Sequence, residues 1–160
     1  MTNITFHGGV NDIGGNKFLV ESKDTKVFMD FGMSFTQEGQ FFSQFLGART
    51  SNSLNDMFEL GILPKIKGLY RRDYAKHMDF DGNEDTEIDA VLLTHAHVDH
   101  CAYLPYLRED IPIYCSEESK LILQNFDETS SSQYLTAKQR FQIYENKKGT
   151  MSKATGDKVA

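Results

Sequence analysis

Residues 94 to 100 read Thr-His-Ala-His-Val-Asp-His, which places three of the chain's five histidines and one aspartate within the six positions from His95 to His100. Imidazole and carboxylate are the borderline-hard donors that suit zinc and similar divalent ions. On an extended backbone alternate side chains share a face, so His95, His97 and Asp99 point one way and His100 another. Two imidazoles emerging side by side suit one ion. An adjacent carboxylate and imidazole suit a second ion close by. The bland alternative is a His-rich, solvent-facing turn. A lone histidine is more often that, but three beside an aspartate favour metal.

A strand must deliver such a cluster, and the preceding run supplies it. Ile88 to Leu93 (I-D-A-V-L-L) is short and nearly continuously apolar, the pattern of a strand buried on both faces. A short helix is expected from Ala102 to Glu109, a second buried strand from Ile111 to Cys115, and a helix capped by Ser116 running to about Asp127. The cluster then sits where a buried strand hands over to a helix, which is where α/β sheets build their sites. Upstream, Asn3 to His7 alternates polar and apolar residues, turn clusters follow at Gly8-Gly9 and at Asn11 to Asn16, and Thr25 to Phe31 ends at Gly32. Residues 3 to 31 therefore read as an antiparallel meander of three strands.

Residues 34 to 86 show no sustained period and read as an irregular, insertion-like region. A helix from about 54 to 60 ending at Gly61 is the exception, with Ser53 to Asp56 resembling a capping box. From Glu128 onward polar residues dominate, so 128–160 reads as a polar tail or a junction to a continuation.

The chain has 160 residues, 39% apolar and 25% charged, with 12 Phe, a composition that favours a packed globular domain over disorder. A net charge of −6 gives no general basic footprint, so contact with nucleic acid needs a local patch or a further domain. No membrane-length apolar run and no signal-peptide start are present, and the cytoplasm is the default expectation. Cys101 and Cys115 read as reduced packing residues.

Thr-His-Ala-His-Val-Asp-His resembles the H-x-H-x-D-H signature of the metallo-β-lactamase superfamily. His100 to Leu107 (H-C-A-Y-L-P-Y-L) is similar to the helix start of the β-CASP and ribonuclease J branch, and Gly8 to Glu21 resembles the opening hairpin of the same ribonucleases. Val27 to Gly32 looks like the superfamily strand that ends in an aspartate, here Asp30. The resemblance covers 3–32 and 88–126. It implies an α/β fold, the N-terminal half of a four-layer αββα sandwich, with 1–127 forming part of the domain. It further implies that His95 and His97 hold one metal, that Asp99 and His100 hold the other, and that Asp30 supports the ligand loop without touching metal. Two Zn2+ ions per complete site are implied, with Mn2+ as the alternative. Asp99 would also orient a metal-bound hydroxide, which makes it the catalytic residue. Asp30 has a competing reading as a strand-end turn residue.

Relatives complete their sites with a later histidine, an aspartate and a last histidine, and this sequence has no histidine after His100. His7 and His77 lie upstream, and Asp110 and Asp127 are the available carboxylates. A missing C-terminal part of the same fold is thus the implied partner. The resemblance implies a phosphodiesterase acting on RNA. A small-molecule ester, thioester or lactone hydrolase is the alternative, and an inactive scaffold is the third reading. Lys65, Lys67, Arg71 and Arg72 interleave with Tyr70 and Tyr74, a pattern that could grip a phosphate backbone or be plain surface. Gly14, Gly15 and Asn16 are ordinary turn residues that the resemblance places near the metals.

Overall fold

A computed structural model describes residues 1–42, 46–48, 54–71, 74 and 85–129, together with the backbone of 143–145 and 151–153. Five strands form one mixed sheet in the order β1-β2-β3-β4-β5: Thr2–Phe6, Phe18–Ser22, Thr25–Met29, Ala90–Leu92 and Ile113–Tyr114. The first three are the expected meander, antiparallel throughout. Lys23, at φ 54°, makes the tight connection between β2 and β3. β4 and β5 then add in parallel, as strands do when helices and loops carry the crossovers. A separate antiparallel pair, β6 (Ile143–Glu145) with β7 (Met151–Lys153), lies in the stretch read as polar tail.

The two faces of the sheet differ. Leu19, Phe28 and Val91 point into the core with Phe31, Leu54, Phe58, Leu69, Tyr70, Leu104 and Leu107. Edge-to-face contacts of Phe28 with Phe31 at 5.2 Å and of Phe58 with Tyr70 at 5.0 Å tie the strands to the chain that covers them. On the opposite face the paired row Phe6, Phe18, Met29, Leu92 and Tyr114 runs across all five strands. Phe6, Met29, Leu92 and Tyr114 of that row are exposed. The described residues thus build one sheet and one covering layer, half of a four-layer sandwich, and among them nothing covers the apolar row on the other sheet face.

Four helices accompany the sheet among the described residues: α1 Phe35–Phe41, α2 Asn55–Glu59, α3 Val98–Cys101 and α4 Glu117–Thr129. α4 starts where expected, because the Ser116 hydroxyl accepts from the Ser119 N–H at 3.2 Å. α2 runs to Glu59 with Leu60 as its C-cap and Gly61, at φ 70°, just beyond, but Leu54 begins it without a side-chain cap, and Ser53 lies outside the described residues. α1 lies where no element was expected. Its signal was Ser34 followed three residues later by Gln37, and the Ser34 hydroxyl accepts from the Gln37 N–H at 3.1 Å.

Other expectations need correcting. β4 is three residues long and stops at Leu92. β5 keeps only Ile113–Tyr114, with Ile113 half-buried and Tyr114 exposed, because it is an edge strand rather than an inner one. The helix expected over 102–109 starts earlier, at Val98, and gives way to a 3-10 turn at Leu104–Tyr106, where Pro105 removes an N–H donor. Cys101 is buried, and burial, helped by the charges of Asp30 and Asp99, pushes its thiol up to about 12. Cys115 is exposed instead of packed. No helix among the described residues is long and apolar enough to cross a membrane.

Candidate metal centre

Three short segments meet at the ends of β3 and β4. The backbone runs extended to His97 (φ −86°, ψ 149°) and then turns helical, so Asp99 and His100 ride on the first turn of α3. This corrects the expectation of a pleated segment through position 99. The bend also gathers the rings: His95 lies 4.5 Å from His97 and 4.0 Å from His100, centroid to centroid.

Asp30 anchors the cluster from below. It is buried at 2% exposure and holds a left-handed φ of 59° at the end of β3, where its own N–H still bonds to Leu92 O. Its Oδ1 accepts from the Thr94 N–H at 2.8 Å, and its Oδ2 lies 2.9 Å from the Thr94 hydroxyl and 2.7 Å from His100 Nδ1. An ionised carboxylate only accepts, so donor count puts a proton on His100 Nδ1 and leaves Nε2 with its lone pair. Thr94 passes the same logic to a second ring. Its hydroxyl proton goes to Asp30, so at 3.0 Å it accepts from His95 Nδ1 and leaves His95 Nε2 bare.

Two donor pairs result. His95 Nε2 and His97 Nδ1 are 3.1 Å apart, and His100 Nε2 and Asp99 Oδ2 are 3.4 Å apart. Bonds of ~2.0–2.1 Å around a tetrahedral ion set neighbouring donors ~3.3 Å apart, so each pair has the span of one coordination edge. The donor set therefore fits divalent metal. Among the described residues no group of three or more His, Cys, Asp or Glu is placed to hold a metal ion, so the chain presents two donor pairs and no complete coordination shell.

Two glycine segments support the ligand loop from behind. The N–H of Asn16 bonds to Asp99 O at 3.1 Å, the N–H of Phe31 to His100 O at 2.7 Å, and the N–H of Met33 to Val98 O at 3.2 Å. The Asn16 carboxamide also reaches His100 Nε2 at 3.1 Å. Close approach explains the glycines: a Cβ on Gly32 would lie 1.7 Å from Asp99 O, and one on Gly14 would lie 2.6 Å from Asp99 Cβ. The Gly14-Gly15-Asn16 turn is thus part of the site.

Sequence reasoning passed over Thr94 and Lys17. Thr94 could have been noticed as the hydroxyl next to the first histidine. Lys17 is 1% exposed, and nothing in a strand-start lysine announces burial. Among the described residues the basic and aromatic run at 65 to 74 is split, with Lys65 and Lys67 exposed and Tyr70 and Arg71 interior. Tyr70 is buried, with its hydroxyl donating to Pro64 O at 2.6 Å, and Arg71 is buried against Pro105 O and the Tyr74 ring. Lys65 pairs with Glu59, while Arg72 and His77 lie outside the described residues. Asp110 is held by Arg108 in a two-pronged ion pair with a shortest distance of 2.6 Å.

Known proteins share sequence and fold with this chain. The profile of the beta-lactamase superfamily domain matches residues 70–154. Ribonuclease J of Helicobacter pylori is 30% identical over 134 residues, spanning 82% of this chain and 15% of its own length. Transcription termination factor FttA of Methanocaldococcus jannaschii is 27% identical over 120 residues, 73% of this chain and 14% of its own length. A crystal structure of a protein of unknown function from Enterococcus faecalis superposes with a TM-score of 0.63 at 25% identity, covering 89% of this chain and 35% of that one. The chain thus spans about a seventh of the length of these two curated relatives.

Proposed function

Because the chain belongs to the metallo-β-lactamase superfamily, in its β-CASP, ribonuclease J-like branch, we propose that it carries half of the metal centre of a hydrolase that cleaves phosphodiester bonds in RNA. The two donor pairs above Asp30 and Thr94 are the observation that carries this reading. His95 Nε2 and His97 Nδ1 would hold one Zn2+, and Asp99 and His100 Nε2 would hold the other; Mn2+ would suit the same donors. Such ions supply Lewis acidity and lower the pKa of water, which serves phosphoryl chemistry at neutral pH. Asp99 aligns the attacking water, and Asp30 and Thr94 hold the rings with their Nε2 atoms outward.

The remaining ligands come from the rest of the same fold. The open row Phe6, Phe18, Met29, Leu92 and Tyr114 supports this, since an apolar sheet face of that width normally packs on a second layer. Residues 1–127 then form the first part of the domain, and 128–160 lead into the continuation. The names of the relatives, ribonuclease J and a transcription termination factor, support RNA as the substrate class.

The test is cleavage of a 5′-labelled RNA by the full-length protein, run beside a panel of ester, thioester and lactone substrates. Cleavage of RNA that EDTA abolishes and Zn2+ or Mn2+ restores is expected. EDTA-resistant cleavage, or turnover of the small esters alone, overturns the proposal.

A further inference from the structure

Lys17 is the most deeply buried charged side chain in the described residues, at 1% exposure, and no carboxylate touches it. Its Nζ instead donates to Gly15 O at 3.0 Å and to Gly32 O at 2.9 Å, with the Tyr103 ring 5.4 Å away. A buried amine with only neutral acceptors is costly, so its place calls for a reason. The two carbonyls belong to the two glycine segments that press on the backbone of Asp99. Gly15 is followed by Asn16, whose N–H bonds to Asp99 O; Gly32 leaves no room for a Cβ beside the same oxygen. Gly8 in turn clears space for the lysine head, since a Cβ there would lie 3.2 Å from Nζ.

We infer that Lys17 is a positioning residue for the ligand loop: by tying Gly15 O to Gly32 O it fixes the two segments that set where Asp99 and His100 stand. The inference rests on the proposed role of Asp99 and His100 as metal ligands. The bridge needs two N–H donors, which both the ammonium and the neutral amine possess. Its purpose is therefore geometry. Burial pushes the lysine down to about 8, while Asp12 acts in the opposite direction. The other groups facing it are His7, whose own proton affinity is lowered by burial and then by this charge, and Tyr103, which is bonded to Glu38.

The test compares the full-length protein with its Lys17→Met variant by Co2+ titration and by amide hydrogen exchange. In the variant, Co2+ affinity is expected to fall 10-fold or more, in the range of about 10–100-fold seen when a support of a metal ligand is removed. Exchange at Asn16, Gly32 and Met33 should accelerate at least as much, with the amides of β2 and β3 unchanged. Lys17→Arg, which can donate to both carbonyls, should recover part of the loss. A folded Met variant with unaltered Co2+ affinity and unaltered loop exchange overturns the inference, as does acceleration spread evenly over the sheet. A wild-type protein that takes up no Co2+ refutes the metal-site reading instead, and the loop exchange still decides the role of Lys17. If the Met variant does not fold, acetylation of Lys17 in the wild type replaces it. Saturating Zn2+ should slow that modification relative to Lys23 and Lys65, by reciprocity of coupling, and an unchanged rate overturns the inference.

Discussion

Nδ1 of His100 lies 2.7 Å from Oδ2 of Asp30, and this contact decides which nitrogen of the ring keeps a free lone pair, the one proposed to bind metal. The carboxylate holds the proton on Nδ1 and turns Nε2 toward Asp99, while Thr94 extends the same control to His95.

Removing that support should therefore cost metal before it costs the fold. Asp30→Asn retains the shape but can donate toward Thr94 N and His100 Nδ1, where acceptance is needed. Zinc affinity is expected to drop about 10–100-fold, with a stability loss of about 1–3 kcal/mol from the mispaired buried groups. Competition with a chromophoric chelator and urea unfolding measure the two. Unchanged zinc affinity contradicts the assignment of Asp30 as the ring anchor.

Gly32→Ala puts a methyl group 1.7 Å from Asp99 O, where backbone faces backbone and neither can yield by rotating a side chain. A cost of about 2 kcal/mol or more is expected, at the upper end of overpacking effects. Gly39→Ala is the control, since nothing lies within 4 Å of a Cβ there and a helix interior favours alanine. Equal effects of the two substitutions in urea unfolding would contradict the tight approach at Gly32.

Much of the site was legible because metal chemistry is written locally. Three histidines and an aspartate within six positions marked the side chains that the fold gathers, and the meander at 3–31 followed from alternation and turn residues. What was hidden depends on distant contacts. Asn16 meets His100 across 84 positions, and Thr94 meets Asp30 across 64, which no local period encodes. The helical turn that carries Asp99 follows a strand too short to enforce extension past His97. Burial of Lys17, Tyr70 and Arg71 follows from tertiary packing alone, and this is why a basic-aromatic run read as surface proved to be partly interior.

The pH dependence of stability should carry the mark of Lys17. Its folded value of about 8 lies below the ordinary 10.5, so between those two pH values the unfolded chain binds more protons than the native one. Stability therefore rises with pH across that window and is lower by the full amount below about pH 8. Urea midpoints of the wild type should increase from pH 8 toward 10 relative to Lys17→Met. Parallel curves for the two proteins would show that Lys17 titrates as an ordinary surface lysine.

The open sheet face offers a separate check on the proposed second layer. Leu92 sits mid-row at 42% exposure. In the full-length protein Leu92→Lys should cost about 2–4 kcal/mol, as placing a charge in an apolar interface does. A change within about 0.5 kcal/mol, the usual effect at a free surface, contradicts a second layer packed on β4.

The most direct measurement is anomalous diffraction at the zinc edge from crystals of the full-length protein. One ion is expected at ~2.0–2.1 Å from both His95 Nε2 and His97 Nδ1, and a second within the same distance of His100 Nε2 and Asp99 Oδ2, with His100 Nδ1 still on Asp30. Zinc at His100 Nδ1, or at none of these four side chains, would contradict the two-pair centre.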